Sequence, residues 1–181
     1  MFEPWSVLDR APRRPGLRVA VVLDEFSLSA FGYEWDQVEV TPSTWRSLLE
    51  EQPVDLLFVE SAWHGNHDAW QFHLTGPSAP RPAFVELVQW CRAHGIPTVF
   101  WNKEDPAHYA DFLDSARLFD HVFTTDSTRI EQYRRDLGHE RVDVLPFAAQ
   151  QSIHNPVRPT TGHQSRDIAF AGTYFGHKYP E

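Results

Sequence analysis

Four polar or charged residues interrupt an apolar run in the sequence FWNKEDPAHYADFL (100–113). Asn102, Lys103, Glu104 and Asp105 stand together where the run stops, and a proline then opens a predicted helix. An amide, an ammonium and two carboxylates can hydrogen-bond, balance charge and accept a proton. A linker does not require these groups in this order, so we interpret the segment as a candidate site.

A second polar group follows the apolar run VDLLFVE (54–60). Glu60 ends this run, and the loop after it contains Trp63, His64, Gly65 and Asn66. His64 suits acid–base work because an unperturbed imidazole has a pKa of about 6.5. The histidines of the loop do not have the spacing of a metal-binding helix, and no cysteine lies nearby, so we do not expect a zinc site.

Short valine-rich runs alternate with helical patterns along the chain. The predicted strands are 17–23, 36–40, 54–60, 96–101, 121–125, 142–147 and 167–172. Most of them are continuously apolar, which is typical of parallel strands that are covered on both faces. The alternation predicts an α/β fold with a Rossmann-like, doubly wound, mainly parallel sheet flanked by helices.

Capping residues mark the predicted helices between the strands. The helices begin after Ser43, at Pro82, after Asp105 and after Asp126, and two of them end at Gly95 and Gly138. Asp105 and Asp126 therefore have a structural interpretation as N-caps. A capping carboxylate also occupies the backbone amides that could otherwise bind phosphate, so this interpretation weakens a phosphate site there.

The predicted topology brings the polar residues together. In a parallel α/β sheet, ligands bind outside the carboxyl ends of the strands. Asp24 follows the first strand, Glu60 the third, Lys103 the fourth and Thr124 the fifth. Each residue alone has a structural alternative, since Lys103 could simply balance a neighbouring glutamate. As a group they predict a site at one edge of the sheet.

Composition and absent motifs exclude several functions. The net charge is −9, from 16 basic and 25 acidic residues, which argues against non-specific binding to nucleic acid. Cys91 is the only cysteine, the N-terminus does not resemble a secretory signal, and no apolar stretch reaches the roughly 18 residues of a membrane span. These features predict a cytoplasmic protein without a membrane span.

The motifs of the common nucleotide and hydrolase sites are also missing. The sequence contains no GxGxxG, no GxxxxGK[ST] and no GxSxG. Two aspartates separated by one residue, which chelate a metal in many nucleotide-sugar enzymes, do not occur either. We therefore expect no cofactor, and no metal if the protein acts on a nucleotide-sugar.

Four segments together resemble a known family. They are VESAWHGNHDAWQFHL, IPTVFWNKEDPAHYADFLDSARLFDHVFTTD, VDVLPFAAQQSIHNP and DIAFAGTYFGHKYPE. They are similar to the CgeB-like, spore-maturation-type glycosyltransferases, which have the two-domain GT-B architecture. The resemblance runs from about residue 17 to the end. It implies an extension at 1–16, a Rossmann-like acceptor-side domain at 17–150, a linker at 151–166, and the first strand and loop of a truncated C-terminal domain at 167–181.

The resemblance also implies a reaction and a set of site residues. The reaction would be transfer of a sugar from a nucleotide-sugar to an unknown acceptor, which could be a glycan, a protein or a small molecule, and this chain alone would be inactive. The catalytic candidates are Glu60, His64, Glu104 and Asp105, with no single base chosen among them. The other candidates are Trp63, Gly65, Asn66, Asn102, Lys103, His108 and Asp126 for substrate, and Gly172 and Thr173 for the donor.

A second hypothesis assigns the chain no catalytic activity. The chain would then be a non-catalytic, Rossmann-like module that recognises a partner protein or a ligand. The seven tryptophans fit either hypothesis, because tryptophan serves both in stacking on ligands and in protein interfaces. A homodimer is compatible with the sequence in both cases.

Overall fold

Six parallel strands form the centre of the structure, a computed structural model that describes residues 10–154. The strands are β1 (Arg14–Val22), β2 (Trp35–Glu39), β3 (Leu56–Glu60), β4 (Thr98–Asn102), β5 (His121–Thr124) and β6 (Val142–Val144). Their order in the sheet is β2-β1-β3-β4-β5-β6, and every neighbouring pair is parallel. This arrangement confirms the predicted Rossmann-like α/β fold. The predicted strand 167–172 and the donor candidates Gly172 and Thr173 lie outside the described residues.

Five α-helices of the described residues, 10–154, cover the two faces of the sheet unequally. They are α1 (Glu25–Phe31), α2 (Trp45–Glu51), α3 (Pro82–Ala93), α4 (Tyr109–Ala116) and α5 (Ile130–Leu137). Helices α2 to α5 all pack into one core cluster with alternate residues of the strands. Helix α1 packs into a second cluster on the opposite face. None of the helices in residues 10–154 is long and apolar enough to cross a membrane.

The valine-rich strands are buried on both faces, as the sequence predicts. In β1, Ala20 and Val22 belong to the core under α2 to α5, whereas Val19 and Val21 face the α1 side. All four are fully buried. Because neighbouring strand residues point to opposite faces, a run that is apolar at every position must have cover on both sides.

Two helix starts differ from the prediction. Thr44, not Ser43, occupies the N-cap position of α2. Asp105 does not cap a helix, because α4 begins at Tyr109 and residues 103–108 form turns. The Asp105 carboxylate is instead hydrogen-bonded inside the protein, so a tertiary contact replaces the local cap. Helix α1 was not among the predicted helices, and β1 begins at Arg14, before the predicted residue 17.

Other predicted helix signals are confirmed. The Asp126 carboxylate accepts a hydrogen bond from the Thr128 amide and opens a short 3₁₀ turn that leads into α5. Helix α5 ends at Gly138 in the left-handed conformation, with φ of 74°. The predicted apolar stripe of α3 is buried, and its members are Phe84, Leu87, Val88 and Cys91.

The end of α5 provides a test of backbone strain. Gly138→Ala should lower the free energy of unfolding by roughly 1 kcal/mol, because alanine disfavours the left-handed conformation. No atom lies within 4 Å of the added methyl group, so strain is the only expected cause. Gly138→Asn is the matched control and should lose less, since asparagine tolerates this conformation. Urea unfolding of both variants measures the difference; an equal loss would contradict the explanation.

Candidate functional site

The carboxyl ends of β1, β3 and β4 meet where the connections of the sheet diverge. From β1 the chain reaches β2 through α1 on one face, and it returns to β3 through α2 on the opposite face. Such a switch point leaves a crevice between β1 and β3, where ligands bind in this class of fold. The predicted convergence of polar residues at this edge is what the structure shows.

Lys103 holds two carboxylates together at the switch point. Its Nζ atom lies 2.9 Å from Oε1 of Glu60 and 3.3 Å from Oδ2 of Asp24. The three residues come from the ends of three different strands, so their contacts join β1, β3 and β4. The Ser61 hydroxyl fixes the lysine further by accepting hydrogen bonds from the amides of Lys103 and Glu104, at 3.0 and 3.3 Å.

Three consecutive backbone amides point at the Asp24 carboxylate. The amides of Trp63, His64 and Gly65 donate to its two oxygens at 3.3, 3.2 and 2.8 Å. Successive amides that converge on one point form an anion-binding concavity. Here the protein's own carboxylate occupies that concavity, and the Lys103 ammonium lies on the same carboxylate.

Glu60 is buried completely. One of its oxygens accepts hydrogen bonds from the Asp24 amide and from Lys103. Burial raises the pKa of Glu60, and the Lys103 ammonium and the nearby Ser27 hydroxyl offset this only in part. No described donor meets hydrogen-bond geometry at the other oxygen, Oε2. Without a change in conformation, a substrate cannot reach this predicted catalytic residue.

Asp24, Glu60 and Lys103 form an ion cluster that carries more negative than positive charge. Two carboxylates face one ammonium. Burial alone would lower the pKa of Lys103, but Glu60 and Asp24 outweigh it and raise that pKa. Burial would raise the pKa of Asp24, but the Gly65 amide and Lys103 outweigh it and lower that pKa. Asp24 and Lys103 are therefore both charged at neutral pH.

Asn66 and Gly65 shape the loop above the cluster. The Asn66 side chain is buried, accepts from the Leu23 amide, and donates to the carbonyls of Val21 and Val40. A ligand contact from Asn66 would require breaking these bonds. Gly65 has φ of 59°, and a Cβ atom there would lie 2.9 Å from Cβ of Trp70, so the position requires glycine.

The other side of the β4 turn contains a second buried network. Asn102 donates to Asp105 Oδ1 at 3.0 Å and to the Tyr133 hydroxyl at 2.8 Å. The Thr124 hydroxyl donates to Asp105 Oδ2 at 2.6 Å. Burial raises the pKa of Asp105, and these hydroxyls offset it in part. Asn102 and Asp105, predicted as substrate and catalytic residues, thus have structural partners.

The remaining predicted residues lie closer to solvent. His64 Nδ1 lies 2.7 Å from Asp68, and its side chain is 56% exposed. His108 Nδ1 lies 2.8 Å from Asp111, and its ring contacts Trp63 at right angles with 5.0 Å between centroids. Asp126 caps its 3₁₀ turn, far along the chain from the ion cluster.

Glu104 differs from its neighbours in having no side-chain partner. Its carboxylate makes no hydrogen bond or ion pair with any described residue, and the residue is half-buried. Its backbone is nonetheless held by Ser61 and by the Asn102 side chain. Among the four predicted catalytic residues, Glu104 is therefore the one that is both anchored and available.

Sequence reasoning missed two residues of this edge. It placed Asp24 among the polar residues after β1 but gave it no role, and it did not select Ser61. The signal for Asp24 was the abrupt end of an apolar strand at an acidic residue. Its partner Lys103 lies 79 residues away in the chain, so only the topology could connect them.

Neither a metal-binding group nor the cleft at the opposite edge of the sheet gives a competing site within residues 10–154. Within residues 10–154, no group of three or more histidine, cysteine, aspartate or glutamate side chains is arranged to hold a metal ion. A cleft of about 550 Å³ near Arg92, Pro97 and His121 lies at the amino-terminal edge of β4 and β5. Ligands of parallel α/β sheets bind at the opposite edge.

Comparison with known proteins does not identify the chain. No protein-family model matches it, and neither a curated protein nor a solved structure is significantly similar to it. Any assignment of function therefore depends on the geometry of the site and on the resemblance noted from the sequence.

Removal of the lysine tests the ion cluster. Lys103→Met leaves the Glu60 carboxylate buried without a counter-charge, and we expect a loss of about 3 kcal/mol in the free energy of unfolding at pH 7. The loss should shrink as the pH falls, because protonation of Glu60, whose pKa is raised in the folded state, removes the unpaired charge. Urea unfolding at several pH values measures both effects. The series runs from about pH 5 to about pH 8, where folded proteins are generally most stable.

The double variant is the control for this experiment. Glu60→Gln combined with Lys103→Met removes both charges and should be more stable than Lys103→Met alone at pH 7. A single variant as stable as the native protein would show that the ion pair does not hold this edge.

Proposed function

We propose that residues 10–154 form the acceptor-side domain of a glycosyltransferase, which transfers a sugar from a nucleotide-sugar to an acceptor hydroxyl. The observation that supports this proposal best is the occupation of the anion-binding concavity by Asp24. A parallel α/β domain that binds a nucleotide diphosphate needs free amides or cations at this edge. In this domain Asp24 uses three such amides and shares Lys103.

The electrostatics of the edge favour an acceptor over a donor. A diphosphate would meet the carboxylates of Asp24 and Glu60 at the switch point and would be repelled by them. A hydroxylated acceptor without negative charge would not be repelled. The donor diphosphate is then held elsewhere, and the amides of Gly172 and Thr173 remain our prediction for part of that contact.

Glu104 is the residue that we propose as general base. Its carboxylate is unpaired among the described residues, and the turn that carries it is anchored on both sides. In the reaction, the acceptor oxygen forms a bond to the anomeric carbon, and the bond from that carbon to the diphosphate oxygen breaks. The acceptor proton passes to Glu104, and the nucleoside diphosphate leaves with the electron pair.

The docking alternative is favoured by a different region. A cavity of about 450 Å³ lies between α1 and the segment 145–150, and it is lined mainly by apolar side chains, several of them aromatic. Phe26 and Phe147 at this cavity are 55% and 58% exposed. Exposed aromatic rings around an apolar cavity are common in binding surfaces. The two hypotheses differ in whether the intact protein turns over a nucleotide-sugar.

The occupied concavity leads to a test with nucleotides. We expect that UDP, GDP, CDP and TDP and their sugars will not raise the unfolding temperature of the 181-residue chain, with or without magnesium. Asp24→Ala should gain stabilisation by inorganic phosphate, because it frees the three amides and lessens the negative charge. Asp24→Asn is the control, since its amide oxygen can still accept from those donors. A clear shift of the native chain by one nucleotide would contradict the acceptor-side assignment.

A second test addresses the base. In the intact protein that contains this chain, Glu104→Gln should lower kcat for transfer by about 100-fold or more, which is typical for loss of a general base. The unfolding temperature should change little, because the native carboxylate has no partner to lose. Glu86→Gln, on the exposed face of α3, is the matched control and should retain full activity. Equal activity of the two variants would exclude Glu104 as the base.

A further inference from the structure

A second cleft adjoins the ion cluster and has a different character. It lies between the loop after β3 and the helix α4, and its volume is about 460 Å³. Trp63 and His64 line it, and the amides of these same two residues donate to Asp24. The cleft is therefore next to the switch point, on the side of the α2 to α5 core.

Two partly exposed aromatic rings, those of Trp63 and Phe72, line this cleft. Trp63 contacts the rings of His108 and Phe112 nearly at right angles, with centroids 5.0 and 5.1 Å away, yet about a third of the residue stays exposed. These contacts fix the orientation of the Trp63 ring, and they leave part of its surface in solvent. Phe72 is 57% exposed and lines the same cleft.

The backbone at Phe72 is strained. Its φ is 62°, in the left-handed region, which is unfavourable for a bulky side chain. Asn66, His67 and Asp68 in the same loop also have positive φ. Burial does not explain this strain at Phe72, because more than half of the residue is in solvent. Strained, exposed positions of this kind concentrate at binding sites.

The described lining of the cleft contains no lysine or arginine. The polar side chains that line it include His64, Gln71, Asp111 and Asp114. Asp111 and Asp114 pair with His108 and Arg117 but remain 50% and 76% exposed. Such a lining can exchange hydrogen bonds with hydroxyl groups, and it disfavours a phosphate or a carboxylate.

We propose that this cleft is a saccharide subsite that takes a sugar chain without acidic groups. Pyranose rings have apolar C–H faces and hydroxyl-bearing edges, which match exposed aromatic rings surrounded by amide, imidazole and carboxylate groups. A nucleotide would lack a partner for its phosphates there. A purely apolar ligand would remove water from the exposed faces of the two carboxylates without replacing its hydrogen bonds.

This inference rests on the proposed function, and it names the class of the acceptor. The saccharide would lie between Trp63 and Phe72, with one hydroxyl directed along the loop toward the turn that carries Glu104. The cleft and the turn are joined through Ser61 and the residues that follow it. Binding at the cleft requires no donor, so it can be measured apart from transfer.

The test uses the 181-residue chain and a panel of tetrasaccharides. Cellotetraose, maltotetraose, tetra-N-acetylchitotetraose and chitosan tetramer are the neutral and amino probes, and tetragalacturonic acid is the acidic control. Isothermal titration calorimetry gives Kd. We expect at least one neutral or amino probe to bind and the acidic one to bind at least tenfold more weakly.

Two variants localise the binding. Phe72→Asn removes the ring but places a residue that tolerates the left-handed conformation, so the fold should be retained. It should raise Kd about fivefold or more, the effect of losing one aromatic contact. Phe147→Leu is the control, because Phe147 is equally exposed but lies at the cavity beside α1. Its Kd should not change.

The outcomes separate this inference from the proposed function. Failure of all neutral and amino probes to bind, or loss of binding in Phe147→Leu instead of Phe72→Asn, would overturn the subsite. Transfer by the intact protein to an acceptor that is not a saccharide would also overturn it, while the proposed function would stand. Saccharide binding that depends on Phe72, without transfer from any nucleotide-sugar by the intact protein, would support the subsite and overturn the function.

Discussion

Burial of the Glu60 carboxylate is the constraint on which the rest of this edge depends. A carboxylate removed from water costs several kcal/mol unless a counter-charge and hydrogen bonds compensate it. Lys103 supplies the charge and the Asp24 amide supplies a hydrogen bond. Because these partners come from the ends of β1 and β4, compensation of the buried Glu60 carboxylate holds the ends of three strands together. It also draws the lysine inward, where it is no longer free to bind an external anion.

The two buried networks on either side of β4 explain the order of residues at its end. Lys103 is held toward β1 and β3, whereas Asn102 and Asp105 are held toward β5 and α5. Glu104 lies between these anchored residues in the chain, and its carboxylate has no partner among the described residues. Three of the four polar groups at the mouth of the turn thus serve to position the fourth. An unpaired carboxylate on a hydrogen-bonded turn fits the general base that we propose.

The sheet was predictable from the sequence because its signal is local. A strand that is buried on both faces must be apolar at nearly every position, and the buried part of β1 (residues 19–22), β3 and most of β4 meet this condition. Helix α1 was not predictable in the same way, since its seven residues are too few to show a helical period and include Ser27 and Ser29.

The site was less predictable than the sheet because its contacts are distant in sequence. Asp105 followed by proline is a strong local signal for a helix start, yet hydrogen bonds to Asn102 and Thr124 replaced the cap. The role of Asp24 depends on amides about 40 residues away and on a lysine farther still. Residue types after each strand could therefore identify the edge, but they could not say which groups neutralise one another there.

The loop after β3 links the charged edge to the neighbouring cleft through its backbone. Its first amides turn inward to bind Asp24, which requires Gly65 to approach Trp70 more closely than a Cβ atom would permit. The buried side chain of Asn66 then fixes the left-handed turn with three hydrogen bonds. Trp63 and Phe72 in the same loop remain partly in solvent and line the cleft beside α4. One loop therefore binds the Asp24 carboxylate with its amides and exposes aromatic rings at the neighbouring cleft.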